Sequence, residues 1–410
     1  KLVNDDDDDD EEQVDDDPEK PCSPMDVYDE IIPLLMDKYG LDSIKAKPQH
    51  MKYAFEHHDI PKEAEYLKVL LPYKTPKSKG VSIPANLTGE TFAAVFGTNT
   101  SIFESFVMQR QIMGPCWLTV TGCDFSSLQN VSHCNIELSV SSPNDISPDL
   151  YTRDPPPSLN VLSLNVQSYM NAKTGRQEVG SVSLALYKSL PQDVPISPEL
   201  QPTEQITLVR PVGGTMNLPV GLKGLAEKKG MALRVLNNEK TLLNCLVGMI
   251  KKYDPDVFFG HRLENVTLDI LLHRMKDLNI NQWSNMGRRS RKVFPEKFSR
   301  SNGRYNLFLI RDMLAGRLLC DISNDMGQSL TPKCQSWELA EMYEVVCRDK
   351  YSPMEVNLAN PLVAEDANKL LAAINENAQA VRIIAKTAFG MQILTTSKQL
   401  TNIAGNAWSH

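Results

Sequence analysis

The sequence predicts a mixed α/β protein: an α+β unit followed by a mixed sheet flanked by helices. Three features carry this. Two strand-like stretches, 159–168 and 179–186, adjoin across the turn-forming Lys173-Thr174-Gly175-Arg176. Downstream, short apolar runs alternate with amphipathic helical stretches, the pattern of strands covered by helices. Upstream, 141–157 holds five prolines and separates the two patterns.

The elements follow in order. Ser23-Pro24 opens a helix, since serine caps and proline suits the first helical position. Pro33 is expected to kink or end it before Gly40. Met51, Tyr53 and Phe55 alternate as in a strand. Residues 73–90 form a connection rich in proline, glycine and lysine. Thr100 is read as the cap of a helix with Ile102, Phe103, Phe106 and Val107 on one face. Trp117 to Thr121 and Asn135 to Val140 are expected strands. Beyond 159–186, strands are expected at Ile206 to Val209, Asp256 to Phe259 and Leu318 to Ile322. Helices are expected near 239–252, around Leu268, Leu271, Leu272 and Met275, and near 335–347 and 363–388. The domain boundaries follow as 1–23 tail, 24–150, 158–390, and 391–410 as a return segment.

Composition narrows the function classes. At roughly 150 residues per domain, 410 residues make two to three domains. No apolar run approaches the ~20 residues of a membrane span. Residues 1–20 hold twelve Asp or Glu against two Lys, a net of −10. Against a whole-chain net charge of −8, that leaves +2 for the rest, so the acidity belongs to a tail. Such a block repels itself and builds no core; the tail is read as a disordered, solvated linker. The eight cysteines form no CxxC pair and are read as reduced, mostly buried thiols. The start at Lys1 and the ending at Trp408-Ser409-His410 lead us to expect a segment of a longer protein.

Several strings carry a resemblance. They are Gly89-Glu90-Thr91-Phe92, Val95-Phe96-Gly97-Thr98-Asn99-Thr100, Gly114-Pro115-Cys116-Trp117-Leu118, Leu159 to Gln167, Asp254 to His261, and Thr401 to Asn406. In order and spacing they resemble the N-terminal and exonuclease regions of family B DNA polymerases, in the polymerase alpha branch. The resemblance runs from about residue 25 to the end. It implies an N-terminal domain followed by a 3′–5′ exonuclease domain of ribonuclease H-like fold. It implies a nuclear protein that extends RNA primers with deoxynucleotides in DNA replication. Its partners would be the DNA template, the RNA/DNA primer, primase and accessory subunits. The Mg²⁺ of polymerisation would sit in a palm domain, whose SLYPS-type and YGDTDS-type motifs do not occur in these 410 residues. No cofactor is expected in this segment.

The exonuclease site itself is expected to be silent. Two-metal hydrolysis needs carboxylates converging on ions roughly 4 Å apart, and Mg²⁺ favours anionic oxygen. Active members carry Asp-x-Glu on the first strand, both side chains on one face. Asn165 and Gln167 stand there. In the second motif, Asn-x-x-x-Phe-Asp, the positions of Asn and Asp are held by Arg262 and Thr267. The third motif, Tyr-x-x-x-Asp, finds no Tyr or Asp between Ala367 and His410, and Asn377 is assigned its Asp position. No catalytic or metal-binding residue is therefore expected. The nearby carboxylates of Glu264 and Asp269 are read as solvated, and His261 as structural. An active proofreading exonuclease of another family B polymerase is the alternative, and the lost carboxylates speak against it.

One basic stretch points to nucleic acid: Arg288, Arg289, Arg291, Lys292, Lys297, Arg300 and Arg304, continuing to Arg311 and Arg317. Lys and Arg neutralise phosphates and release counterions. The interleaved Trp283, Phe294, Phe298 and Tyr305 suit either base stacking or a core. A solvated loop and a nuclear-import signal at Arg288 to Lys292 compete with the phosphate-binding reading.

Overall fold

The structure is a computed structural model that describes residues 22–39, 43–52, 60–71, 83–126, 129–295, 298 and 307–408. The acidic tail, Tyr53, Phe55, Lys297, Arg300, Arg304 and Tyr305 lie outside them. The chain divides into two compact units after Ile102.

In the first unit, α1 (Pro24–Tyr39) packs Ile31 and Leu35 against Leu87. Ser23 caps it as read: its hydroxyl accepts the Asp26 N–H, and Asp26 accepts the Ser23 N–H at 2.7 Å. Pro33 does not end the helix, which continues to Tyr39. Leu35, two residues further on, is buried in the core, and tertiary packing outweighs the lost hydrogen bond. Met51 lies in β1 (Lys45–Lys52), which forms an antiparallel hairpin with the unanticipated β2 (Glu63–Leu70). Gly89-Glu90-Thr91 gains a physical meaning here. The Glu30 carboxylate accepts both the Glu90 and Thr91 amides at 2.8 Å and the Thr91 hydroxyl at 2.5 Å.

The second unit begins within α2 (Ile102–Arg110), of which Val107 is buried while Ile102 and Phe103 are exposed. Two short pairs follow. β3 (Leu118–Val120) pairs with β6 (Ile146–Pro148), and β4 (Cys123–Asp124) with β5 (Ser139–Val140). Most of 135–140, expected as a strand, is irregular.

The main sheet has six strands. β7 (Leu159–Asn171) and β8 (Arg176–Leu190) form a long hairpin, turned at Gly175 with a φ of +63°. β9 (Glu204–Val209) pairs antiparallel with β8, and a short edge strand β10 (Leu233–Val235) lies parallel to β9. On the other side β11 (Val257–Gly260) and β12 (Leu318–Asp321) continue parallel to β7. The order is β10-β9-β8-β7-β11-β12, a mixed sheet with helices as expected.

Strand periodicity sorts β7 between two cores. Leu162 and Leu164 join a cluster with α4 (Glu239–Tyr253) and α5 (Asp269–Asp277). Val161 faces the opposite cluster with α8 (Leu339–Cys347) and α10 (Ala367–Gly390). Four shorter helices and a last one complete the unit: α3 (Leu222–Lys228), α6 (Leu307–Met313), α7 (Asp325–Leu330), α9 (Pro361–Ala364) and α11 (Ile393–Ala404).

A buried ion pair joins three elements. Glu239, in the first turn of α4, accepts the β8 amide of Val179 at 2.8 Å and the Arg274 guanidinium of α5 at 2.6 and 2.9 Å. Both side chains are 8% exposed. Removing Glu239 leaves the buried Arg274 with only the half-exposed Asp277, at 3.0 Å, and leaves the Val179 amide without its acceptor. We expect Glu239→Ala to lower unfolding free energy by about 3 kcal/mol or more, read as a fall in denaturant midpoint; an unchanged midpoint would reject the role.

The turn before α8 is held by Glu341. Its carboxylate accepts the amides of Gln335, Ser336 and Trp337 and the Ser336 hydroxyl. The Ser336 hydroxyl, then those amides, pull its carboxyl down to about 2 from an ordinary 4.5. The folded value lies below the unfolded one. Its contribution is therefore fully present above pH 4.5 and is lost as pH falls through about 2. A carboxyl carbon titration by NMR should put the Glu341 midpoint near 2; a midpoint near the ordinary value would show the turn unformed.

Candidate functional site

The lower half of β7 meets α10 through polar side chains rather than apolar ones. Ser163 donates to the Val381 carbonyl at 2.8 Å. Two residues on, Asn165 Nδ2 donates to Asn377 Oδ1 at 2.9 Å. Two further on, Gln167 Nε2 donates to the Ala373 carbonyl at 2.7 Å. The period of two places all three on the α10 face of the strand. Ser181, opposite Gln167 on β8, closes the set: Asn377 Nδ2 donates to its oxygen at 2.8 Å, and it donates to Gln167 Oε1 at 2.7 Å. Asn165, Gln167 and Asn377 are thus brought together, as the motif spacing implies. Ala373 stands four residues before Asn377, where the third motif has its Tyr.

This set is neutral, and its amide hydrogens and oxygens are directed at one another. Asn377 is 1% exposed. A divalent cation there would have to displace amide hydrogens while receiving no anionic oxygen, so these residues do not fit a two-metal centre. Among the described residues, no group of three His, Cys, Asp or Glu side chains is arranged to hold a metal ion.

Thr267 lies in a single π turn, Leu263–Leu268, after β11. Arg262 enters that turn with φ +50°. Its side chain pairs with Glu338, and its amide donates to Ser323. His261 is structural as read: its Nε2 meets the Trp337 carbonyl at 2.9 Å.

The two neighbouring carboxylates correct the sequence reading. Glu264 and Asp269 are not solvated; each is 5% exposed. Glu264 accepts Arg311 Nε at 2.8 Å, and Asp269 lies 3.2 Å from His273 Nδ1. Glu264 lies in the π turn itself and Asp269 directly after it, at the start of α5.

The basic stretch is largely spoken for. Arg288 binds Asp254 at 3.2 Å and Asp256 at 2.8 Å. Its position depends on Gly316 at φ +91°, where an added Cβ would come within 2.6 Å of the Arg288 side chain. Arg317 is buried, held by Asp254 at 2.7 Å and by the carbonyls of Pro255 and Met286. Burial lowers the Arg317 pKa, opposed by Asp254. Arg289 and Arg291 share the single carboxylate of Asp312, at 2.9 and 2.6 Å. Lys292 is exposed. The aromatics belong to the core: Trp283 and Phe298 are buried, and Trp283 stacks on Phe294 at 4.1 Å.

Residues 93–342 match the family model described as DNA polymerase family B, exonuclease domain. The chain is 51% identical over 393 residues to a DNA polymerase alpha catalytic subunit of Saccharomyces cerevisiae, covering 96% of this chain and 27% of that protein. It is 31% identical over 391 residues to the DNA polymerase alpha catalytic subunit of Xenopus laevis, covering 95% and 25%. The rice counterpart is 30% identical over 406 residues, covering 92% and 25%. The chain spans about a quarter of the length of these relatives. A match across most of the chain places this chain in the family B DNA polymerases, alongside the catalytic subunits of polymerase alpha.

Proposed function

We propose that the chain is the N-terminal and exonuclease-like part of a polymerase alpha catalytic subunit, and that its exonuclease centre is catalytically silent. Residues 24–150 would form the N-terminal domain, and 158–390 an exonuclease domain of ribonuclease H-like fold. The whole protein would extend RNA primers on a DNA template in the nucleus, with primase and accessory subunits as partners. Its Mg²⁺ would be held by palm motifs not found among these 410 residues. This segment's own work is architectural: it flanks the nucleic acid and carries no hydrolytic step.

The observation that carries this reading is the closed amide set of Asn165, Gln167 and Asn377. Asn165, Gln167 and Thr267 stand at the motif positions where hydrolysis needs carboxylates. Phosphate binding by the basic stretch is part of the proposal. Arg289, Arg291 and Lys292 carry it better than Arg288, whose guanidinium already has two acidic partners.

The test is incubation of the purified chain with 3′-labelled single-stranded DNA in Mg²⁺ and in Mn²⁺. No shortening is expected. Shortening that disappears in Glu264→Gln, the buried carboxylate of the π turn, would overturn a silent centre. A second variant checks the amide set. Asn165→Asp places a carboxylate against the Asn377 carbonyl oxygen and removes the donor. We expect it to lose about 1–3 kcal/mol of stability without gaining nuclease activity; Mg²⁺-dependent digestion by it would show that one charge suffices.

A further inference from the structure

A groove of about 510 Å³ opens on the second unit, away from the amide set. Its wall is built by a strand-like bridge between 131–133 and 288–290. The Ser290 amide donates to the Val131 carbonyl at 3.0 Å, and the His133 amide donates to the Arg288 carbonyl at 2.8 Å. This holds His133 against the buried Ser284, ring nitrogen to hydroxyl at 3.1 Å. The far side is the end of α4 with Lys251, and the loop 279–285 that follows α5.

The lining is one-sided in charge. Lys251, Arg291 and Lys292 line the groove, and among the described residues no carboxylate does. Asp312 is the acid bound to Arg291, and it is shared with Arg289, so Lys251, Arg291 and Lys292 keep a net positive charge. Burial, Lys251 and Arg317 together lower the His133 pKa, as a positive field in the groove would. Asn279, Asn281 and Gln282 also line it, and all three are exposed. Each amide offers a donor and an acceptor together, the complement of a purine edge. A carboxylate ligand would use the donors alone. The volume falls within the ~300–1,000 Å³ of small-ligand sites. Trp283 and Phe294, stacked on each other at 4.1 Å, also line the groove, Trp283 buried and Phe294 half-buried.

We propose that this groove binds a nucleotide unit, its phosphate between Lys251, Arg291 and Lys292 and its base edge against the loop amides. The inference rests on the nucleic-acid reading of the basic stretch and narrows it to one site, adding Lys251, which that stretch does not contain. The nucleotide is either a free monophosphate or one unit of a single strand.

The experiment uses the full 410-residue chain. Anisotropy of a labelled mixed-sequence 12-mer is titrated in rising salt, with adenosine 5′-monophosphate, an unlabelled 12-mer and poly-glutamate as competitors. The groove variant is Lys251→Glu with Lys292→Glu, two exposed lysines whose replacement spares the core. The comparison variant is Arg289→Ala, which does not line the groove but leaves Asp312 to Arg291 alone, so it is expected to weaken binding less than the groove variant does. We expect the groove variant to weaken binding at least tenfold and to flatten the salt slope by about 0.7 for each phosphate no longer neutralised. Competition by the monophosphate would identify a free nucleotide as sufficient; competition by the 12-mer alone would identify a strand. Undiminished binding by the groove variant, with a loss in Arg289→Ala, would overturn the groove and leave the basic-stretch reading standing. Absence of binding to any nucleotide or strand would overturn both. Displacement of the strand by poly-glutamate as readily as by the 12-mer would overturn the groove's nucleotide specificity in favour of an acidic peptide.

Discussion

The requirement that buried polar groups find partners governs the second unit. β7 runs through the middle of the sheet, and three of its α10-facing side chains, Ser163, Asn165 and Gln167, are polar. In a core, an amide left unpaired costs about 1–3 kcal/mol. Asn165, Gln167, Ser181 and Asn377 escape that cost only because α10 lies at one height and one rotation against the strand. Sliding α10 by one residue would break each of its bonds to the strand. The register of the longest helix is therefore fixed by hydrogen bonds, while apolar packing around Val381, Ile384 and Phe389 supplies the bulk of the burial.

Charge follows the same rule. Arg288 and Arg317 read from sequence as free cations, yet Asp254 and Asp256, some thirty to sixty residues earlier, meet them at the mouth of β11. Glu239 and Arg274 do likewise between α4 and α5. In each case a local count of charge misleads, because the compensating group is brought in by topology. Lys251 and Lys292, by contrast, are exposed and line the groove beside Arg291.

Legibility tracks locality. The β7–β8 hairpin is readable because its turn residues and its alternation lie within one stretch of sequence. α4 is readable from its apolar spacing and is capped by Asn238 with Thr241. β2 escapes such a reading because Leu67, Val69 and Leu70 fall on both faces of the strand and blur its alternation. β10 escapes it because three residues on a sheet edge leave no periodic signal. The convergence of Asn165, Gln167 and Asn377 is readable through motif spacing, since strand and helix periods fix which residues share a face. The burial of Glu264 and Asp269 is not, because Glu264 lies in a π turn and Asp269 directly after it. Lys251 has no signal of its own: it looks like any lysine in the last turn of a helix.

The amide set has one more consequence. Many metal centres couple folding to the ion, since clustered carboxylates repel one another until a cation binds. Here the same ground is occupied by groups that satisfy each other without a third party. The stability of this layer is thereby uncoupled from divalent-ion concentration. A layer closed in this way needs no cation to hold its shape, so swings in free magnesium leave its geometry alone.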